Sequence, residues 1–203
     1  MAAVYDPAVR KIDEAGLGDR RHALLAEASG RTVEIGAGTG RNLEHYPAGV
    51  SDLVLTEPDR HMAKKLRRNV ENSGRNAKVV EAPGERLPLE DASVDTAVAT
   101  LVLCTAPDPR AVVDEVARVL KPGGRFLFLE HVRAEDERIA RRQDRAAPIT
   151  NYLFCGCHPN RSTLATIQAS PLQVERVERG ELPEKATFEF GRPMIVGVAR
   201  RPA

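Results

Sequence analysis

The clearest chemical signal in the sequence is a glycine-rich turn, Gly36-Ala37-Gly38-Thr39-Gly40, that ends a short predicted strand. Glycines let backbone N–H groups and a helix N-terminus come close to a ligand. A dinucleotide-binding turn spaces its glycines as GxGxxG. Here the spacing is GxGxG, and Glu34 stands two residues before the first glycine. An acid in that place favours a cationic ligand over a pyrophosphate.

Further candidate binding residues follow the next predicted strands. Glu57 ends the second strand, where a carboxylate can accept hydrogen bonds from both ribose hydroxyls of an adenosine. Residues 82–85 end the third strand and residues 100–103 end the fourth. Glu57 alone could be a helix cap, but the combined positions predict a nucleoside site. S-adenosylmethionine fits them, since its sulfonium and ammonium are cationic and its amino-acid end would lie over the turn.

His131 is a candidate catalytic residue, because it directly follows an apolar strand and an imidazole titrates in the useful range. It could act as a base or orient an acceptor molecule. Its alternative role is structural, in a hydrogen bond to the following loop. Tyr5 has two similar interpretations, as part of a lid over the site or as an ordinary packing aromatic.

The segment Cys155-Gly156-Cys157-His158 raises the question of a metal. Structural zinc sites use four ligands, usually in two spaced pairs. This cluster has no second pair, and Cys104 is the one other cysteine in the chain. The sequence therefore predicts no metal, and it predicts that these cysteines are small buried residues that shape an acceptor pocket.

These residues must be positioned by strands and helices that alternate along the chain. The fold class we predict is α/β, a doubly wound and mostly parallel seven-stranded sheet with a C-terminal antiparallel hairpin. A helix over 133–147 is expected to end at Pro148. The predicted strands are 31–35, 53–55, 77–80, 94–103, 126–129, 172–179 and 193–199, and the other main helices are 60–72 and 109–120.

Length and composition narrow the function. The 203 residues fit one domain, 1–203, divided into a helical lid (1–30), a cofactor-binding core (31–131), an acceptor-site insert (132–170) and the hairpin (171–203). A net charge of +1 argues against a nucleic-acid partner. The longest uncharged apolar run, 96–107, is too short to span a membrane. We expect a cytoplasmic monomer or homodimer, without a membrane partner, that acts on a small molecule.

Four motifs resemble those of class I S-adenosylmethionine-dependent methyltransferases: VEIGAGTG, LTEPD, GERLPLEDASVD and LKPGGRFLFLEH. The resemblance covers about residues 31–131. A narrower likeness joins ATLVLC, LEHV and the FCGC-x3-R-x-T block at 154–163. These are similar to the methyltransferase-like thiol S-methyltransferases of animals and their small bacterial relatives.

The resemblance implies a role for each matching residue. The resemblance implies that the turn binds the amino-acid end of the cofactor and that Glu57 binds the ribose. It implies that the end of the third strand binds the adenine, where Pro83 replaces the acid usual in the family. The implied cofactor residues are Glu34, Gly36, Ala37, Gly38, Gly40, Asn42, Glu57, Pro58, Gly84, Glu85, Thr100 and Leu101. The implied substrate residues are Tyr5, Cys104, His131, Asn151, Cys155 and Arg161.

The predicted activity is methyl transfer from S-adenosylmethionine to a small acceptor, with S-adenosylhomocysteine as the product. A thiol is the leading acceptor, and N- or O-methylation of a small scaffold is the alternative. From other classes, a dinucleotide oxidoreductase and a non-catalytic nucleotide-binding module are the rivals. Because the cofactor supplies the electrophile, the protein mainly aligns two reactants, and a base is needed only for a protonated acceptor.

Overall fold

A computed structural model describes residues 10, 12–153, 156–182, 184 and 187–203. Its centre is a seven-stranded sheet in the order β3-β2-β1-β4-β5-β7-β6. The first five strands pair in parallel, and β7 lies antiparallel between β5 and β6. The strands are β1 (Gly30–Ile35), β2 (Val50–Thr56), β3 (Ala77–Val80), β4 (Val94–Thr100), β5 (Leu120–His131), β6 (Gln173–Glu181) and β7 (Pro193–Arg200). The predicted α/β class and terminal hairpin are confirmed.

Helices cover both faces of this sheet. They are α1 (Gly18–Leu25), α2 (Arg60–Ser73), α3 (Pro109–Val119), α4 (Glu137–Leu153) and α5 (Thr163–Gln168), with a π-helical turn at Asp13–Leu17 and 3-10 turns at Leu43–His45 and Glu189–Gly191. None of the helices in the described part of the chain is long and apolar enough to cross a membrane.

The sheet has an apolar core on each face, and the side chains of β5 alternate between the two. Phe126 and Phe128 are fully buried in one apolar cluster, and Leu127 and Leu129 are fully buried in the other. Successive side chains of a strand point to opposite faces, so a continuous apolar run marks a strand covered on both sides. Each such burial contributes about 1.5–3 kcal/mol. The carboxyl ends of the central strands are thereby held in one rigid edge.

Local signals set the helix boundaries on that edge. The Asp59 side chain accepts from two N–H groups at the start of α2, and Gly74 ends the helix in the left-handed conformation. Asp108 caps α3 in the same way, with Pro109 in the first turn. Both helices therefore begin directly after a loop at the candidate site.

The prediction that Pro148 ends its helix is wrong, because α4 continues through it to Leu153. A proline inside a helix removes one hydrogen bond. Tertiary contacts outweigh that loss here. The buried Gln143 amide donates to the carbonyl oxygens of Val132, Pro159 and Phe190, each at 3.0 Å. The short helix α5 was not predicted at all.

Two strand boundaries also differ from the prediction. β4 ends at Thr100 instead of residue 103, because Leu101 adopts a φ of +60° that leaves the extended conformation. β5 begins at Leu120, six residues earlier than predicted, because Leu120 pairs with Val94 and the pairing resumes at Arg125 opposite Thr96 after a register shift. The early end of β4 opens the loop on which Cys104 lies.

Candidate methyl-transfer site

The glycine turn between β1 and β2 has two glycines with different roles. Gly36 and Gly38 adopt φ angles of +59° and +58°, which strain other residues. A Cβ on Gly36 would lie 2.8 Å from a Val102 methyl group, so packing also requires this glycine. Among the described residues, a Cβ on Gly38 would meet only a Met62 methyl group at 3.8 Å. Within that part of the chain, the Gly38 backbone is therefore open to the approach of a ligand.

Glu57 fixes the turn to the end of β2. One carboxylate oxygen accepts from the Gly38 N–H at 2.8 Å, and the other accepts from the Asp59 N–H at 2.9 Å. The side chain is almost fully buried, and this burial raises the pKa of its carboxyl. The carboxylate is thus held in place beside the turn before any ligand arrives.

Glu34 lies behind the turn and is completely enclosed. Its two carboxylate oxygens accept from the Asn42 amide at 2.9 Å and the Tyr46 hydroxyl at 2.7 Å. Burial raises the pKa of Glu34 to about 7. The predicted residues Glu34 and Asn42 are therefore brought together, and Tyr46 is a member that sequence reasoning missed.

Arg21 on α1 joins this network from the N-terminal segment. Its guanidinium donates to the Asn42 side-chain oxygen at 2.9 Å and to the Thr100 hydroxyl at 2.7 Å. Its Nε donates to Asp13 at 3.1 Å, and Asp13 also pairs with Arg41. The predicted lid is thus bound to the turn through a buried arginine. Sequence spacing gave no signal for Arg21, which lies 79 residues from Thr100.

Glu130 organises the loop after β4, and it too was missed. Its buried carboxylate accepts from the N–H groups of Val102 and Leu103 at 2.9 and 3.0 Å, and from that of Cys104 at 3.2 Å. Burial raises the pKa of Glu130 to about 7. The adjacent Leu101 holds the unusual φ of +60° noted above, a kind of backbone strain that clusters at functional sites.

Cys104, His131 and Cys157 form a cluster at the same edge. His131 Nδ1 lies 3.9 Å from Cys104 Sγ and 3.6 Å from Cys157 Sγ. Nε2 of the same ring is buried and has no hydrogen-bond partner among the described residues. The hydrogen bond from the Cys104 thiol, with His131 adding to it, lowers the pKa of Cys157, while that hydrogen bond and burial raise the pKa of Cys104.

Tertiary contact, rather than the Cys155–His158 spacing, assembles this cluster. The backbone N–H of His158 donates to the Cys104 carbonyl at 2.7 Å, which brings the segment after α4 against the loop after β4. In the sequence, Cys155, Cys157 and His158 stand together as possible metal ligands. The structure instead groups Cys157 with Cys104 and His131.

The adenine-side residues lie in the loops that follow the second and third strands. Gly84 is buried, and a Cβ there would lie 2.7 Å from an Ile35 methyl group. Glu85 accepts from the Asp108 N–H at 3.3 Å, and Pro58 is exposed. Their contacts with a cofactor stay predictions, as does the division of the chain into lid, core, insert and hairpin.

The remaining candidate substrate residues differ in their contacts and exposure. Arg161 donates to the carbonyl oxygens of Leu103 at 2.6 Å and Ala106 at 2.7 Å, so it braces the loop after β4. It does not pair with a helix carboxylate in the described part of the chain. Asn151 is exposed on α4. Tyr5 and Cys155 lie outside the described residues. Their substrate roles stay predictions.

Comparisons with known proteins agree with this geometry. A methyltransferase-domain family matches residues 33–128. The human thiol S-methyltransferases TMT1B and TMT1A are 38% and 32% identical to the chain, over 75% and 82% of its length. The matched regions cover 66% and 69% of those relatives, so the chain spans about two thirds of their length.

Two further proteins extend the comparison. The phosphatidylethanolamine N-methyltransferase of Cereibacter sphaeroides is 28% identical, over 94% of this chain and 92% of that protein. The structure of geranyl diphosphate methyltransferase, solved with S-adenosylmethionine, has the same fold with a TM-score of 0.72 at 15% identity, covering 93% of this chain and 85% of that one.

The sheet order, the glycine turn and the carboxylates that end β1 and β2 define a class I S-adenosylmethionine-dependent methyltransferase. The chain belongs to this family. It is an enzyme, and its cofactor is S-adenosylmethionine. Within the family, its similarity extends to human thiol S-methyltransferases and to a bacterial N-methyltransferase.

Proposed function

We propose that this enzyme methylates the sulfur of a small-molecule thiol. His131 is the observation that carries the proposal. Its imidazole lies at the end of β5, and Nε2 is buried without a partner among the described residues. An unsatisfied buried polar atom costs about 1–3 kcal/mol. Such an atom is typical of a group that meets its partner only in the ligand complex. The similarity to two human thiol S-methyltransferases supports a thiol acceptor.

In the proposed complex, the cofactor spans the carboxyl edge of the sheet. Its amino-acid end lies over the Gly36–Gly40 turn, behind which Glu34 and Asn42 form the buried network. Glu57 binds the ribose hydroxyls with the carboxylate lone pairs that its backbone contacts leave. Pro58, Gly84 and Glu85 would hold the adenine, and Thr100 and Leu101 would be the residues nearest the sulfonium.

Methyl transfer is then an in-line displacement. The acceptor sulfur forms a bond to the methyl carbon as the carbon–sulfonium bond breaks, and the electron pair of that bond returns to the cofactor sulfur. Good alignment can supply about 7–11 kcal/mol of the barrier. His131 takes the thiol proton or orients the sulfur. A free thiol has a pKa of about 8.5, so a nearby imidazole suffices as the base.

Amine N-methylation is the second candidate function. The match to the phosphatidylethanolamine N-methyltransferase favours it, because that match covers 94% of the chain, whereas the thiol S-methyltransferases match 75–82% of it. If the methyl acceptor is an ammonium group, the buried His131 nitrogen would take its proton in the same way.

A pair of acceptors with one carbon skeleton separates the two functions. The purified protein is incubated with S-adenosylmethionine and either 2-mercaptoethanol or ethanolamine, and S-adenosylhomocysteine is measured by mass spectrometry. We expect the thiol to react at least about tenfold faster, which corresponds to about 1.4 kcal/mol in the transition state. Preference for ethanolamine, or reaction only with vesicles that contain phosphatidylethanolamine, would assign the N-methylation function instead.

A further inference from the structure

Three metal-ligating side chains from three separate segments converge at the carboxyl edge of the sheet. Cys104 follows β4, His131 ends β5, and Cys157 lies after α4. Their sulfur and nitrogen atoms all lie within 4.8 Å of one another. We propose that these three residues form a binding site for a divalent, thiol-seeking metal ion, with Zn²⁺ as its occupant.

The distances fit a tetrahedral ion. Zn–S bonds of about 2.3 Å and Zn–N bonds of about 2.0–2.1 Å place neighbouring ligand atoms about 3.5–3.8 Å apart. The His131 Nδ1 atom lies 3.6 Å from Cys157 Sγ and 3.9 Å from Cys104 Sγ. The two sulfur–nitrogen distances are therefore within a few tenths of an ångström of those around a tetrahedral zinc ion, and the two sulfur atoms lie within 4.8 Å of each other.

The chemistry of the ligand set selects the metal. Two thiolates and one imidazole are soft to borderline ligands, which suit Zn²⁺ and exclude Mg²⁺ and Ca²⁺, since these prefer oxygen. The ion binds thiolates, so binding would release any remaining thiol proton of the pair to solvent. Glu130 lies next to His131 in sequence, but its carboxylate accepts from three backbone N–H groups and holds the Cys104 loop.

The surroundings hold the ligands in place in advance. The Cys104 backbone is fixed at its N–H by Glu130 and at its carbonyl by the N–H of His158. The Thr163 hydroxyl donates to the His131 carbonyl at 3.4 Å. These contacts come from four different segments, so the arrangement of the three ligands depends on the fold.

Three protein ligands leave one position open, which is the arrangement of catalytic zinc sites. This part of the inference rests on the proposed thiol S-methylation. An acceptor thiol would enter as the fourth ligand and lose its proton to solvent. The bound sulfur then takes the methyl group, and the cofactor leaves as S-adenosylhomocysteine. The uncharged thioether product is a weaker ligand and departs. The metal, rather than the imidazole, would then lower the pKa of the acceptor.

Cobalt substitution tests the site without any acceptor. The full-length protein is treated with a chelator, dialysed and titrated with Co²⁺, while thiolate-to-cobalt charge transfer and visible ligand-field bands are recorded. We expect one ion per chain with tetrahedral bands, and displacement by Zn²⁺. Binding with no thiolate-to-cobalt band, or no binding at all, would overturn the site.

Single variants test the ligand assignment. Loss of a residue that only hydrogen-bonds a metal ligand weakens metal binding by about 10–100-fold. Cys157→Ser and Cys104→Ser each remove a ligand itself, so each should weaken metal binding by more than that. His22→Gln, which replaces an exposed imidazole on α1, is the control and should bind like the wild type. Loss in His22→Gln together with full binding in Cys104→Ser would overturn the assignment. Affinity for S-adenosylhomocysteine, measured on each variant, reports that the protein is folded.

Activity separates the two proposals. If metal binds as described but 2-mercaptoethanol is not methylated, the site stands and the thiol function fails. If the chelated protein methylates thiols at the full rate, the thiol function stands and the open-position role of the metal is overturned. Recovery of thiol methylation on adding one equivalent of Zn²⁺ supports both.

Discussion

The three buried glutamates at this site have different roles because their hydrogen-bond partners and positions differ. Glu57 has its two oxygens on backbone N–H groups, in front of the glycine turn. Glu34 lies behind the turn and Glu130 lies under the loop after β4, and both are fully buried. The carboxylate at the end of β2 is therefore the one placed to exchange bonds with a ligand, while the other two hold loops in position.

Replacement of Glu57 should test that distinction. Hydrogen bonds to a charged group contribute about 1.5–3 kcal/mol each, so Glu57→Ala should weaken S-adenosylhomocysteine binding by about 10- to 100-fold. Isothermal titration calorimetry measures the affinity, with NAD as a ligand that should not bind. Glu44→Ala is the control, since Glu44 is exposed on the 3-10 turn near the site. Unchanged affinity in Glu57→Ala would remove Glu57 from the cofactor site.

At the scale of elements, α1 acts on the site through one side chain. Arg21 is 3% exposed and connects α1 to Asn42, which follows the glycine turn, and to Thr100 at the end of β4. Asp13 in the preceding π-helical turn neutralises it and also pairs with Arg41. The N-terminal segment is therefore coupled to the glycine turn by buried charge as well as by apolar packing.

The variant Arg21→Ala should lose both stability and cofactor affinity. Removing one partner of a buried charged network typically costs about 3–5 kcal/mol, because the remaining groups stay buried without it. Urea unfolding and calorimetry measure the two effects. Arg20→Ala on the same helix should change the free energy of unfolding by less than about 1 kcal/mol, since Arg20 donates a long, 3.5 Å bond to the Glu181 carbonyl. Equal losses in the two variants would contradict the coupling.

For the whole molecule, buried acids make stability depend on pH. Glu34 and Glu130 both have a pKa raised by burial to about 7, from 4.5. Between those values the folded state keeps a proton that the unfolded state has lost. Their favourable contribution is complete below about pH 4.5 and is lost as the pH rises through about 7. Each shift corresponds to about 3 kcal/mol.

We therefore expect Glu34→Gln, which mimics the protonated acid, to reduce the loss of unfolding free energy between pH 5.5 and 8 by about 2 kcal/mol, because the shift spans about 1.5 pH units of that window. Urea denaturation at the two pH values measures this. Glu115→Gln is the control. Its pKa is lowered by Arg118, so its contribution is lost only below this range. A pH dependence identical to that of the wild type would show that Glu34 is ionised in the folded protein throughout.

Local sequence patterns were sufficient for most of the framework. The glycine turn, the Asp59 and Asp108 caps, and the apolar runs of β4 and β5 each encode a backbone conformation or a burial pattern within a few residues. That is why the class of sheet, its terminal hairpin and its main helices could be predicted. The boundaries that failed, at Pro148 and at Leu101, are places where distant contacts outweigh local preference.

The sequence by itself determined the class of fold, the cofactor turn and the acids that flank it. Only the tertiary structure decided which side chains complete the site. Arg21 reaches Thr100, and Cys157 reaches Cys104 and His131, across long stretches of chain. Such contacts depend on the order of strands in the sheet and on the path of the connecting segments. No short-range periodicity carries that information, because it arises from packing of the whole chain.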